Sequence, residues 1–308
     1  MAINYEEIMS MTSENIEVSY TDKDSILYSL GVGLGNDPMN LDELKFVYEN
    51  SQIALPSMAT NFQYHSPLLL KTNINFIMVV HGEQRLSVTN PLPVSGDFIT
   101  NAKVIGCYDK GPGKGAVIEV ETTVNLKKDN TEICKLVSTT FARGDGGFGG
   151  PESPKKELVR PEGKPDYVHE INTKPDQALI FRLSGDYNPL HSDPNFAKSA
   201  GFKRPILHGM CTYGIACRSI IESVCDKDVK KLKRFDCRFS SPVYPGETIV
   251  TEIWKDGNNI YYQCKVKERD KMVIKNGVSE IIRYHKLQFL RVKNLFFIMS
   301  LIMHGEKK

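Results

Sequence analysis

Asn90-Pro-Leu-Pro-Val-Ser-Gly-Asp-Phe-Ile99 occurs a second time in altered form, as Ser241-Pro-Val-Tyr-Pro-Gly-Glu-Thr-Ile249. Both stretches run from a small polar residue through proline and apolar residues to glycine, an acid and a β-rich run. They lie about 150 positions apart, and a similar offset relates Leu27–Gly31 to Ile180–Gly185. Two features that recur in the same order at one spacing indicate an internal duplication.

Each copy combines a helix-forming stretch with strands. Alternating, β-branched segments in both halves predict strands: Ile99–Tyr108, Ala116–Leu126, Glu132–Arg143, Leu232–Phe239, Thr248–Lys255, Ile260–Lys267 and Met272–Ile282. Apolar residues of Gly209–Val224 recur at spacings of three, four and seven, which predicts a buried helix. A long helix wrapped by an antiparallel sheet, made twice, is an α+β arrangement.

The segment between the halves is rich in Gly, Pro and Lys. It contains neither a Gly-Lys-Ser/Thr loop nor G-x-G-x-x-G between a strand and a helix, so we interpret it as a linker and expect no nicotinamide domain. The predicted units are a first repeat at 1–143, a linker at 144–165, a second repeat at 166–283 and an atypical tail at 284–308.

The bulk composition is that of a globular protein, with 41% of 308 residues hydrophobic. A formal charge of +2 is too small to favour electrostatic binding of nucleic acid or of a membrane, so neither partner is expected. Seven cysteines without a C-x-x-C pair indicate free thiols. No signal-like run opens the chain, and Leu295–Met303 is about half a membrane span, so we expect a soluble intracellular protein.

Three groups that can handle a proton or orient water lie close together in Phe181-Arg-Leu-Ser-Gly-Asp-Tyr-Asn-Pro-Leu-His191. Gly185 and Pro189 interrupt regular backbone there, so Asp186, Asn188 and His191 are expected to leave a tight turn. A carboxylate and an imidazole on one loop can converge on a water molecule, as general acid/base addition of water requires. The simpler interpretation is a capping turn, for which Asp and Asn are also common.

His208-Gly209 opens the predicted buried helix. The backbone N–H groups at a helix start are unpaired and carry partial positive charge, so the Gly209 N–H could stabilise an enolate oxygen. The alternative is that Gly209 only relieves crowding between helix and sheet. A metal site at His191, Asp193 and His208 is disfavoured because the spacing fits no H-x-x-x-H or H-E-x-x-H pattern.

These motifs resemble the 2-enoyl-CoA hydratase 2 family of MaoC-like hot-dog proteins, which includes the hydratase region of peroxisomal multifunctional enzyme type 2. The resemblance covers about residues 5–282. In the second half it rests on Gly185-Asp-Tyr-Asn-Pro-Leu-His191, Asp193-Pro-Asn-Phe-Ala197, Gly201-Phe-Lys-Arg-Pro-Ile-Leu-His-Gly209 and Pro242-Val-Tyr-Pro-Gly246. In the first half it rests on Leu30-Gly-Val-Gly33, Phe46-Val-Tyr-Glu49, His81-Gly-Glu-Gln84, Asp109-Lys-Gly111 and Gly146-Gly-Phe-Gly-Gly150.

The resemblance implies a double hot-dog fold and hydration of trans-2-enoyl-CoA to (3R)-3-hydroxyacyl-CoA in fatty acid β-oxidation. It implies no cofactor, since the coenzyme A thioester is the substrate. Asp186 and His191 match the family's catalytic pair, with Asn188 beside them, Gly209 matches its oxyanion hole, and Glu49 falls on a carboxylate implicated in activity. The positions that match the acyl-CoA site are His81, Gly82, Lys110 and Phe239, together with Asp186, Asn188, His191 and Gly209.

The resemblance further implies that the first repeat has lost its own Asp/His pair in favour of room for a long acyl chain. It implies a peroxisomal location, although His304-Gly-Glu-Lys-Lys308 is not a Ser-Lys-Leu-type address; otherwise the cytoplasm is expected. Hot-dog units commonly pair their sheets, which the two copies could satisfy internally, with a homodimer left open.

Two alternatives stay open. A hot-dog acyl-CoA thioesterase also uses a helix N-terminus and a carboxylate, but rarely a carboxylate and an imidazole so close on one loop. A non-catalytic acyl-CoA-binding subunit would have no need of Asp186, Asn188 and His191 together.

Overall fold

The computed structural model describes residues 3–154, 158 and 160–282. The predicted tail at 284–308 lies outside them. The α-helices are α1 Tyr5–Met9, α2 Asp22–Gly31, α3 Leu41–Val47, α4 Gln177–Phe181, α5 Pro194–Ser199 and α6 Gly209–Val224. The 3-10 helices are Pro56–His65, Leu68–Lys71, Phe76–Met78, Arg182–Ser184, Pro189–His191 and Val229–Lys231. The strands are β1 Thr12–Tyr20, β2 Val79–Val88, β3 Gly96–Asp109, β4 Ala116–Leu126, β5 Glu132–Ala142, β6 Tyr167–Asn172, β7 Leu232–Phe239, β8 Thr248–Asp256, β9 Asn259–Val266 and β10 Lys271–Ile281.

The ten strands form one antiparallel sheet in the order β1-β3-β4-β5-β2-β7-β10-β9-β8-β6. Read outward from the centre, the first half runs 2-5-4-3-1 and the second runs 7-10-9-8-6. Adding five to each strand number of the first half therefore gives the second half, as a duplication requires. The repeated proline-rich stretches both connect equivalent strands, β2 to β3 and β7 to β8.

Strands β2 and β7 join the two repeats at the middle of the sheet. Their register places Glu83 opposite Arg238 and Arg85 opposite Asp236. Side chains alternate between faces along a strand, so Gln84 and Leu86 point into the core while Arg85 lies on the outer face. The pairing of hot-dog sheets is thus made within one chain.

Helix α6 is the centre of the larger hydrophobic core, and its bounds are those predicted. Tyr213, Ile215 and Ile220 are fully buried, and the same core takes in Tyr28 and Phe98 from the first repeat. Within the described residues, no helix has the length and apolar character needed to cross a membrane.

The two repeats differ in their helices. In the first repeat the element that packs on β1, β2, β4 and β5 is the 3-10 helix Pro56–His65, not a long α-helix. Pro56 at its start lacks an N–H, and Met58, Ala59 and Phe62 are its buried apolar residues. The α+β double hot-dog class is unchanged, but the long helix is present only in the second repeat.

The Gly-rich start of the predicted linker is fixed to the β3–β4 hairpin. The Asp109 carboxylate accepts the N–H groups of Gly147 and Gly149 at 2.7 Å each, and the Asp109 N–H donates to the Pro151 carbonyl at 2.9 Å. These bonds explain an acidic residue at the end of β3. The division of the chain into domains around 144–165 stays a prediction.

Candidate active site

The loop that carries Asp186, Asn188 and His191 follows α4 and is built by local side-chain hydrogen bonds. Gly185 has φ +120°, a conformation that glycine adopts readily. The Asp186 carboxylate accepts the Asn188 N–H at 3.2 Å, and the Asn188 side-chain oxygen accepts the Leu190 N–H at 3.0 Å. Asn188 is exposed, and its amide nitrogen stays available as a donor. The capping and catalytic interpretations are therefore compatible.

His191 is buried with one ring nitrogen fixed. Its Nδ1–H donates to the Ile206 carbonyl at 2.9 Å, because a carbonyl can only accept, and this leaves Nε2 as the free acceptor. Burial lowers the pKa of His191, while the Asp186 charge and the Ile206 carbonyl act in the opposite direction. His191 is thus a neutral base near neutral pH.

His208 contacts the loop that carries Asp186 and His191. Its ring stacks on that of His191 with centroids 3.7 Å apart, and its Nε2–H donates to the Asp186 carbonyl at 3.1 Å. Burial lowers the pKa of His208 to about 3, and the neighbouring His191 adds to this. A permanently neutral His208 therefore positions the backbone of Asp186 and the ring of His191.

The three side chains converge. One carboxylate oxygen of Asp186 and one ring nitrogen each of His191 and His208 lie within 4.8 Å of one another. One nitrogen of each ring donates to a backbone carbonyl, which fixes the tautomer of each histidine and leaves the other ring nitrogen as an acceptor. What the arrangement offers chemically is a carboxylate and a neutral imidazole that can share one water molecule.

Gly209 lies at the first turn of α6, beside this cluster. No side chain caps the helix, so its first N–H groups keep their partial positive charge. A Cβ built on Gly209 would lie 3.5 Å from the Phe239 ring, an ordinary contact. The structure therefore shows no crowding that would require a glycine at this position, and the oxyanion role of Gly209 stays a prediction.

The four other predicted acyl-CoA residues line one groove of about 630 Å³ on the sheet, at the junction of the repeats: His81, Gly82, Lys110 and Phe239. The rings of His81 and Phe239 meet edge to face, 5.1 Å apart. Phe239 also contacts the Gly209 position, and the Asp186 charge is felt at His81, whose pKa burial lowers. Phe239 and His81 thus border the groove and also lie near the residues of the Asp186 cluster, which are not among the residues that line the groove.

Glu49 is the predicted residue that stands apart. It lies exposed in the turn after α3, and among the described residues no contact joins it to Asp186 or His191. One neighbour of Asp186 was not anticipated, namely Tyr64 at the end of the 3-10 helix Pro56–His65. It precedes Asp186 by over a hundred positions, so no local motif could connect the two.

Two family models match the chain: the MFE-2 hydratase 2 N-terminal domain over residues 18–144 and the MaoC like domain over residues 157–277. A probable enoyl-CoA hydratase 2 of Dictyostelium discoideum is 39% identical, over 91% of this chain and 97% of that protein. The peroxisomal enoyl-CoA hydratase 2 of Arabidopsis thaliana is 41% identical, over 85% of this chain and 90% of that protein.

Solved structures agree with these matches. A MaoC-like dehydratase from Phytophthora capsici superposes with a TM-score of 0.81 at 33% identity, covering 92% of this chain and all of that one. A Mycobacterium tuberculosis protein described as a double hotdog fold has a TM-score of 0.55 at 13% identity, with coverage of 88% and 95%, and supports the fold alone.

Proposed function

This chain belongs to the MaoC-like enoyl-CoA hydratase 2 family and is a hydro-lyase, and we propose that it adds water reversibly to trans-2-enoyl-CoA to give (3R)-3-hydroxyacyl-CoA. The observation that carries the proposal is the convergence of Asp186 and a neutral His191 beside the uncapped N-terminus of α6. The Arabidopsis and Dictyostelium relatives named enoyl-CoA hydratase 2 support the substrate class.

In the proposed reaction, Asp186 and the Nε2 of His191 hold one water molecule between them. One of the two takes a proton as the water oxygen bonds to C3, and the electrons of the C2=C3 bond move onto the thioester oxygen. The Gly209 N–H stabilises that enolate oxygen. The enolate then collapses as the proton is returned to C2, so that all the atoms of water end in the product. The steps need no metal or other cofactor.

The groove at the repeat junction is the proposed site for the coenzyme A portion. Lys110 and Arg238 line it and suit the anionic phosphates of the ligand, and Phe239 and His81 line the same groove. The name of the Arabidopsis relative supports a peroxisomal location, and the proposed setting is fatty acid β-oxidation. The proposed partner is the acyl-CoA substrate, with a homodimer left open.

The test is incubation with crotonyl-CoA followed by chiral analysis of the product. Loss of enoyl absorbance without release of thiol, with the (3R) product, is the expected result; free coenzyme A would instead indicate a thioesterase. Asp186→Ala or His191→Ala should lower turnover by about 10²–10⁴-fold, the usual contribution of a general acid or base.

Asp193→Asn is the matched control. Asp193 is an exposed carboxylate on the same loop whose side chain caps α5, a role that asparagine also performs. Its variant should keep near-normal turnover. Near-normal turnover of the Asp186 and His191 variants, with intact folding, would overturn the assignment of roles.

A further inference from the structure

The hydroxyl group of Tyr64 is a buried polar atom without a hydrogen-bond partner among the described residues. It belongs to the first repeat, on the 3-10 helix Pro56–His65, whereas the catalytic loop belongs to the second. A buried hydroxyl without a partner is costly, typically about 1–3 kcal/mol, so its position needs an explanation.

Tyr64 packs directly on the turn that presents Asp186. Its ring carbon Cδ2 lies 3.3 Å from where a Cβ of Gly185 would stand, so only glycine lets the ring approach this closely without displacement. Beyond that contact the phenol end faces the Asp186 carboxylate, whose negative charge, after burial, raises the pKa of Tyr64 well above its ordinary value. Tyr64 is therefore a neutral phenol, able to donate, near neutral pH.

We propose that the Tyr64 hydroxyl donates a hydrogen bond to the Asp186 carboxylate, so that the first repeat positions the carboxylate of the proposed Asp186–His191 pair in the second. This bond gives the Tyr64 hydroxyl a partner and adds a second donor to the carboxylate, which already accepts the Asn188 N–H. Tyr64 is thus a positioning residue, acting on Asp186 and not on the substrate. This inference deepens the proposed hydration but can be tested independently of it.

Several charged or titratable groups lie near Asp186, and the test must distinguish the effect of Tyr64 from theirs. The groups that face it are Tyr64 from the 3-10 helix, His81 from β2 and His191 from its own loop, while His208 contacts its carbonyl. Arg182 is a further charge close to His208. The alternative partner of the Tyr64 hydroxyl is the Gln63 amide, and a bond to Gln63 would leave the Asp186 carboxylate unaffected.

The experiment is carbon-13 NMR titration of the full-length protein labelled at aspartate carboxyl carbons, with Asp186→Asn to assign the resonance. Tyr64→Phe removes only the hydroxyl and keeps the ring on Gly185. Because a hydrogen bond to a charged group stabilises the anion, its loss should move the Asp186 titration midpoint upward by about one pH unit. In the hydration assay, kcat should fall about tenfold with KM unchanged, and the acid limb of the rate profile should move to higher pH.

Tyr28→Phe is the matched control, since the Tyr28 hydroxyl is also buried and bonds the same 3-10 helix, at Ser57 over 3.0 Å. It should lower stability and leave the Asp186 midpoint in place. An unchanged midpoint in Tyr64→Phe refutes the inference even if the enzyme hydrates crotonyl-CoA. A shifted midpoint in a protein without hydratase activity supports the Tyr64–Asp186 bond and refutes the proposed function instead.

Discussion

Two glycines of helix α6 should respond in opposite ways to the same added methyl group. A Cβ at Gly209 would meet the Phe239 ring at 3.5 Å, which is ordinary van der Waals contact. A Cβ at Gly214 would lie 2.5 Å from Cγ1 of Val32 and 2.8 Å from the hydroxyl of Tyr28, both of which are fully buried. The first site has room for the methyl group and the second does not.

The expected magnitudes follow from these distances. For Gly214→Ala, overpacking costs about 1–3 kcal/mol and the better helix propensity of alanine returns about 1 kcal/mol, so stability should fall by up to about 2 kcal/mol. For Gly209→Ala, stability should stay within about 0.5 kcal/mol of the wild type. Its methyl group would instead occupy the space through which the thioester oxygen must reach the helix N–H groups, with a loss of about 10²-fold in kcat for crotonyl-CoA hydration.

The assay is urea unfolding of both variants together with steady-state hydration of crotonyl-CoA. We expect one variant to lose stability and the other to lose activity. Gly214→Ala should keep the kcat of its folded fraction, and Gly209→Ala should keep its unfolding midpoint. If Gly209→Ala turned over at the wild-type rate, the thioester oxygen could not be bound at this helix start, and the oxyanion role of Gly209 would be wrong.

Two further predictions concern stability. Arg218→Met should destabilise the fold by about 3–5 kcal/mol in urea unfolding, because it leaves the buried Glu43 carboxylate without a charged partner. Adding Glu43→Gln should restore part of the loss. A loss below about 1 kcal/mol in Arg218→Met would contradict this reasoning. Acidification from about pH 7 to about pH 5 should lower the free energy of unfolding. The pKa of His208 is about 3 in the folded chain and about 6.5 in the unfolded chain, so the unfolded state binds more protons between these pH values. His208→Gln should flatten this dependence, and an unchanged slope would argue against a buried neutral His208.

The sequence predicted the parts of the fold whose patterns are strong and local. Helix α6 and strands β4 and β7 have the predicted bounds, and in α6 the apolar residues recur at the period of a helix. The edge strands β1 and β6 were not predicted, since only one residue of each is buried and alternation is therefore weak. Central strand β2 was missed for another reason: its run His81-Gly-Glu-Gln-Arg85 serves the groove and the outer face and lacks an apolar period.

The candidate site divides in the same way. Asp186, Asn188 and His191 could be found because the loop places them within six positions, and local hydrogen bonds dictate their geometry. Tyr64 could not be found, because its proximity to Asp186 exists only once the two repeats are packed. The tautomer and neutrality of His191 likewise depend on the Ile206 carbonyl and on burial, and neither is a property of a motif.

Helix α6 of the second repeat is held in place by hydrogen bonds to groups of the first repeat. Arg218, midway along α6, donates to Glu43 at 2.6 Å and to the Gly33 carbonyl at 2.6 Å, both in the first repeat. The helix that presents Gly209 is therefore held at its middle by groups from the other repeat. A second repeat alone would expose Arg218 and the β7 edge and would lack His81, so the chemistry of one repeat depends on the structure of both.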